Sequence, residues 1–189
     1  MKGLTIWNRL MPSFPHLSLI LGGASSGKSA FAEALATQAS RPRAYIATSQ
    51  AFDAEMEAKI AKHRQERGPD WQTIEAPLDI GAALAQVATK SVVLIDCLTL
   101  WLSNQMHAKT DIATEIDNLL IALSGTPNPV ICVSNEVGMG LVPETPLGRL
   151  FRDLQGRLNQ KVAEQADLAV FVAAGMPLTL KGTLLEETT

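Results

Sequence analysis

Lys28 and Ser29 close the run Gly22-Gly23-Ala24-Ser25-Ser26-Gly27-Lys28-Ser29, which matches G-x-x-x-x-G-K-[ST]. Glycines there let successive backbone N–H groups turn toward one anion, and a helix starting behind them adds its positive end. Lys28 can reach the β- and γ-phosphates of a nucleotide, and the Ser29 hydroxyl can hold a magnesium ion. Asp96 ends the apolar run Ser91 to Ile95 and is the expected partner of that magnesium; the plainer alternative is an acid that caps the next helix. His63 is surrounded by Lys59, Lys62, Arg64 and Arg67. Cations there suit a polyphosphate and would lower an imidazole's pKa, leaving a ring nitrogen able to attack phosphorus. His63 also continues a stripe with Met56 and Ile60, so a packed core histidine is the competing reading.

The elements that must position these groups follow from periodicity. Leu17 to Leu21 is an apolar strand leading into the loop, and a helix runs from about Lys28 to Ala39. Ala44 to Ala47 reads as a second strand whose exit, Thr48-Ser49-Gln50, faces the edge where open α/β sheets bind ligands. A helix over Asp53 to Arg67 is bounded by Asp53 and by Gly68-Pro69. Trp71 to Glu75 is a short segment or a strand end before Pro77, and Glu75 is either a surface acid or a ligand for a base or ribose. Leu78 to Thr89 is expected to be helical, Ser91 to Asp96 a strand buried on both faces, residues 106 to 114 a polar loop, and Thr114 to Leu123 a crossover helix.

Pro129 to Ser134 is another buried strand and opens into Asn135-Glu136-Val137-Gly138-Met139-Gly140, a loop shaped either for a ligand or for steric reasons alone. Thr145-Pro146 starts a long helix with an expected buried stripe of Leu147, Leu150, Phe151, Leu154, Leu158 and Val162. Leu168 to Ala173 is the last buried strand, and Leu178 to Lys181 adds an antiparallel edge. The result is an α/β domain, a mainly parallel central sheet with helices on both faces. Residues 17–181 form one domain, 1–16 an N-terminal extension and 182–189 a tail.

Composition limits the function. The chain has 189 residues, 47% of them hydrophobic, enough for one buried core. A net charge of −3 argues against broad attachment to nucleic acid or anionic lipid. No apolar run approaches the ~20 residues of a membrane span. Cys97 and Cys132 fit neither zinc nor a disulfide framework, which suits a reducing cytoplasm. Residues 1–16 lack the apolar centre and cleavage site of a secretory signal, leaving an extra arm or an upstream start codon as explanations.

Four stretches carry a resemblance: LGGASSGKSAFAE, YIATSQAFDAEMEAKIAKHRQERG, VVLIDCLTLWLSN and VSNEVGMGLVPETPLGRLFRDLQGRLNQKVAEQAD. Together they resemble the bifunctional adenosylcobinamide kinase/adenosylcobinamide-phosphate guanylyltransferase family of cobalamin assembly. That resemblance implies a RecA-like P-loop domain, usually a homotrimer. It implies phosphorylation of adenosylcobinamide from ATP or GTP, with Mg²⁺, and then transfer of GMP from GTP to the adenosylcobinamide phosphate through a GMP–histidine intermediate. His63 matches the guanylylated histidine. Gly22, Gly23, Ala24, Ser25, Ser26, Gly27, Lys28, Ser29, Ala47, Thr48, Ser49, Arg64, Gln65, Glu66, Arg67, Glu75 and Asp96 match nucleotide-contacting positions. Two other readings compete: a simple P-loop kinase with a structural His63, and a nucleotide-responsive regulator without turnover.

Overall fold

The computed structural model describes residues 14–50 and 70–184. The expected helix over 53–67 lies outside them, as do most of the N-terminal extension and the last five residues. The described elements are β1 (Leu17–Gly22), α1 (Lys28–Gln38), β2 (Arg43–Ala47), β3 (Trp71–Glu75), α2 (Ile80–Ala85), β4 (Val92–Asp96) and α3 (Leu98–Ala108). They continue with α4 (Ile112–Gly125), β5 (Val130–Asn135), α5 (Pro146–Gln165), β6 (Leu168–Ala173) and β7 (Met176–Lys181).

Strand order is β3-β2-β4-β5-β1-β6-β7, with every pair parallel except β6–β7. Parallel pairing needs crossovers, and helices on the two faces bury both sides of the central strands. The side chains of β1 are buried along its whole length, as are Val92 to Ile95 of β4. Alternate residues feed two cores. Leu19, Leu21, Val93 and Ile95 pack with α2, α3, α4 and α5, while Ile20, Val92 and Leu94 pack with Ala32, Leu35 and Ala36 of α1. Helices therefore cover both faces, as the sequence predicts.

Four expectations need correction. Residues 106 to 114 are mostly not loop: α3 continues to Ala108, ends at Lys109 in the left-handed region (φ 57°), and α4 restarts after Asp111. The polar residues there misled because their groups find partners in the folded chain, the His107 ring on the Ser103 carbonyl at 2.8 Å and Thr110 on Gln105. Gln105, 2% exposed, donates from Nε2 to the Leu78 carbonyl at 3.0 Å and accepts from the Thr110 hydroxyl at 2.9 Å. The helix over Leu78 to Thr89 shortens to Ile80–Ala85, capped by Asp79, whose side chain accepts from Ala82 N at 2.8 Å. Trp71 to Glu75 is a full strand paired with β2. Finally, the stripe on α5 is buried only toward its C-terminal half. Leu158 and Val162 are buried and Phe151 and Leu154 partly so, but Leu147 and Leu150 stand 65% and 51% exposed. The buried face of α5 instead takes in two polar residues, Gln155 and Asn159. Trp101 belongs to the core, its Nε1 donating to the Leu78 carbonyl at 2.8 Å.

Candidate active site

The carboxyl edge of the sheet gathers the expected residues. Register places Ala47 opposite both Glu75 and Asp96, and Asp96 opposite Val133, so three expected ligand positions share one row across β3, β2 and β4. Gly22 lies opposite Asn135 at the same edge. Strand β5 alone separates β4 from β1, so Asp96 and the phosphate loop are roughly 10 Å apart across the sheet. A hydrated cation and phosphate oxygens fit such a gap.

The loop is built for an anion. Gly27 caps α1 at φ 95° with no side-chain oxygen, and the first turn of α1 has no acidic residue. The positive end of α1 thus has no carboxylate of its own to offset it. At Gly22 a Cβ would collide with Ser26 Oγ and sit 2.6 Å from the Val172 carbonyl. Ser25 is left-handed (φ 55°), and Ser26 N donates to the Gly23 carbonyl at 3.3 Å. Ala24, Ser25 and Gly27 are exposed, while Gly23, Ser26, Lys28 and Ser29 are half-buried. Lys28 Nζ donates to the Gly23 carbonyl at 3.2 Å, folded back over the loop it serves.

The β6–β7 turn braces the loop, which periodicity did not reveal. Ala174 and Gly175 have φ of 51° and 77°, the two positive values a type I′ hairpin turn requires. Gly175 N donates to the Ser26 carbonyl at 2.8 Å, and a Cβ on Gly27 would come 3.1 Å from Gly175 Cα. The pair Ala174-Gly175 between two strand-like runs was the available signal.

Asp96 is half-buried and accepts from the Tyr45 hydroxyl at 3.2 Å, a contact no motif announces. Thr48 is fully buried. Its hydroxyl donates to the Cys97 carbonyl and accepts from Cys97 N, both at 2.8 Å, while its carbonyl accepts from Asn104 Nδ2 at 2.7 Å. Thr48 thus ties β2 to the start of α3 beneath the edge. Ser49 is half-buried and Glu75 exposed at the same edge. Cys97, directly after Asp96, is pushed up to about 11 by burial and by the Asp96 charge, and Cys132 to about 12 by burial; both stay protonated thiols near neutrality. His63, Arg64, Gln65, Glu66 and Arg67 lie outside the described residues.

Among the described residues no group of three or more His, Cys, Asp or Glu could hold a metal ion unaided. A hydroxyl and one carboxylate suit magnesium, which keeps several waters and takes phosphate oxygens as ligands. An apolar hollow of about 370 Å³ lies between the end of α3 and the start of α5, lined by Met106, His107, Leu147 and Phe151 among others. No residue of the phosphate loop lines it.

A family model described as cobinamide kinase / cobinamide phosphate guanyltransferase matches residues 18–180. The chain is 44% identical over 167 residues to the bifunctional adenosylcobalamin biosynthesis protein CobP of Pseudomonas aeruginosa, covering 87% of this chain and 96% of that one. It is 38% identical over 179 residues to the bifunctional adenosylcobalamin biosynthesis protein CobU of Escherichia coli K12, covering 86% and 98%. Among solved structures, the flagellar accessory protein FlaH of Methanocaldococcus jannaschii superposes with a TM-score of 0.50 at 15% identity, covering 89% of this chain and 80% of that one. An ATPase of the type III secretion system of pathogenic bacteria gives 0.53 at 11% identity, covering 87% and 56%. These structures share the fold, a RecA-like P-loop domain.

Proposed function

This chain belongs to the cobinamide kinase and cobinamide phosphate guanyltransferase family, and from that premise we propose how its residues divide the work. The enzyme phosphorylates adenosylcobinamide and transfers GMP to the resulting phosphate. In the kinase step the loop amides and Lys28 hold the β- and γ-phosphates of ATP or GTP and neutralise charge as the phosphoryl group leaves. Ser29 and Asp96 would hold Mg²⁺, Asp96 directly or through water; when bound, the ion offsets negative charge on the phosphate oxygens. In the transfer step His63 attacks the α-phosphorus of GTP, forming a P–N bond while the bond to pyrophosphate breaks. The cobinamide phosphate then displaces the histidine and carries GMP away. Ala47, Ser49, Arg64, Gln65, Glu66, Arg67 and Glu75 contact the nucleotide.

The uncompensated N-terminus of α1, behind a loop in which Gly22 has no room for a side chain and Gly27 is left-handed, carries the nucleotide-binding half of this reading. His63 rests on its basic neighbours in sequence and on the family match. Incubation with α-labelled GTP tests it: the native protein should retain acid-labile label, and His63→Ala should lose the label while still phosphorylating cobinamide. An adduct formed at the normal rate by the alanine variant would remove His63 from this role.

The homotrimer is part of the same proposal. Met139, Leu141, Val142 and Leu147 are 64–95% exposed, Leu147 also lining the hollow between α3 and α5, and exposed apolar side chains of this kind suit a subunit contact. No described helix is long and apolar enough to cross a membrane. Nucleotide substrates together with two free buried cysteines favour the cytoplasm.

A further inference from the structure

The loop after β5 has a buried polar scaffold that the kinase and transfer roles above do not use. Ser134 and Gln155 are fully buried and Asn159 is 5% exposed. The Ser134 hydroxyl donates to Asn159 Oδ1 at 2.7 Å, and Gln155 Nε2 donates to Ser134 Oγ at 2.9 Å and to Asn159 Oδ1 at 3.0 Å. This cluster fixes one residue. Asn135 N donates to Thr99 Oγ1 at 2.8 Å, and the Asn135 carbonyl accepts from Asn159 Nδ2 at 3.1 Å. Both main-chain groups of Asn135 are thereby held by side chains from α3 and α5. Its carboxamide oxygen, Oδ1, is buried and among the described residues has no donor. A buried acceptor left unmet destabilises the fold, and a ligand donor would relieve that cost.

Location narrows what that donor is. Asn135 ends the strand between the phosphate-loop strand and the Asp96 strand, in register with Gly22. Glu136 N donates to the Gly22 carbonyl at 3.1 Å, tying this turn to the phosphate loop. Phosphates bring acceptors, not donors, to such a place, and a water on a bound cation would serve both half-reactions alike, so its loss would lower both together. The kinase step, however, brings a hydroxyl that must lie in line with the γ-phosphorus.

The geometry points to Asn135 as the residue that positions the acceptor hydroxyl of the corrinoid side chain, its Oδ1 receiving the hydroxyl's hydrogen bond. The hydroxyl oxygen then forms its bond to the γ-phosphorus as the bond to the β–γ bridging oxygen breaks. The nucleoside diphosphate leaves, and the hydroxyl proton passes to a phosphoryl oxygen and on to solvent. Thr99, Gln155 and Asn159 act through Asn135 and are positioning residues. This assignment rests on the kinase reading, and it makes the two half-reactions separable. The guanylyl acceptor is already a phosphate and offers no hydroxyl at this point.

The test compares native enzyme, Asn135→Ala, Asn135→Leu (similar volume, no polar atom) and Asn135→Asp (an acceptor oxygen retained). Measured are phosphorylation of cobinamide, GMP transfer from GTP to preformed cobinamide phosphate, and GTP affinity by fluorescence titration. Expected for Asn135→Ala and Asn135→Leu is a kinase kcat lower by about a hundredfold, as misplacement of a reacting group by about 1 Å produces. GMP transfer and GTP affinity should stay within about threefold, and Asn135→Asp should recover most of the kinase rate. Parallel loss of both half-reactions, or no loss of the kinase rate, would overturn the assignment. Absence of kinase activity in the native enzyme would instead overturn the functional reading beneath it.

Discussion

At the residue scale, Asp96 and the two cysteines show how one edge sorts side chains into reactive and inert. Asp96 keeps partial access to solvent and one hydroxyl partner, Tyr45. Asp96→Asn keeps the shape and removes the charge, so the magnesium concentration giving half-maximal activity should rise about tenfold or more in both half-reactions. An unchanged magnesium titration would take Asp96 out of the metal site. Its neighbour Cys97 and the more central Cys132 are neutral thiols at pH 7, and neither should react with alkylating reagents until the chain unfolds. Their folded pKa values of about 11 and 12 lie above the 9.0 of an ordinary thiol, so the folded state binds protons more tightly. That contribution is complete below pH 9 and lost as pH rises from 9 toward 12. Denaturant titrations across that range should show falling stability, with a shallower fall in a Cys97→Ala/Cys132→Ala double variant.

At the element scale, the phosphate loop is a junction of three pieces: the end of β1, the start of α1 and the β6–β7 turn. Gly22 cannot carry a side chain without displacing Ser26 or the Val172 carbonyl. Gly22→Ala should therefore weaken nucleotide binding roughly ten- to a hundredfold, the equivalent of about 1–3 kcal/mol of overpacking, measurable by calorimetry. On α5, the Thr145 hydroxyl accepts from Gly148 N at 3.1 Å. Thr145→Ala should cost about 1 kcal/mol and lower Tm by roughly 2–4 °C. These junctions also show what the sequence could reveal. The loop, its helix and the buried strands follow fixed local rules, and so do Ala47 and Asp96, because each ends an apolar strand; Glu75 joins their row only through the pairing of β3 with β2. The Thr48 clasp on Cys97 and the Gly175 bond to Ser26 span 49 and 149 residues, and no local pattern encodes a contact at that range. The exposure of Leu147 and Leu150 escaped for a related reason. A helical stripe marks a face, but where the sheet beneath that face ends is a property of the assembled layers.

At the scale of the whole molecule, Met139, Leu141, Val142 and Leu147 are apolar side chains left outside the core, and the proposed trimer is testable there. Light scattering should give a trimer for the native chain, and a Leu141→Glu/Leu147→Glu variant should dissociate toward monomer while keeping its helical signal. Strand order has a consequence of another kind, in the timing of synthesis. The strand that launches the phosphate loop is the first described strand to leave the ribosome, yet it pairs only with β5 and β6, more than a hundred residues later. Meanwhile Leu19, Ile20 and Leu21 form an apolar segment without its sheet, the kind of segment that chaperones hold. The loop then gains its brace from the β6–β7 turn only with Gly175. A nascent chain arrested before that glycine emerges should fail to retain labelled GTP, and one extended past Lys181 should bind it: the motif waits for a residue translated 149 positions after Ser26 before it becomes a binding site.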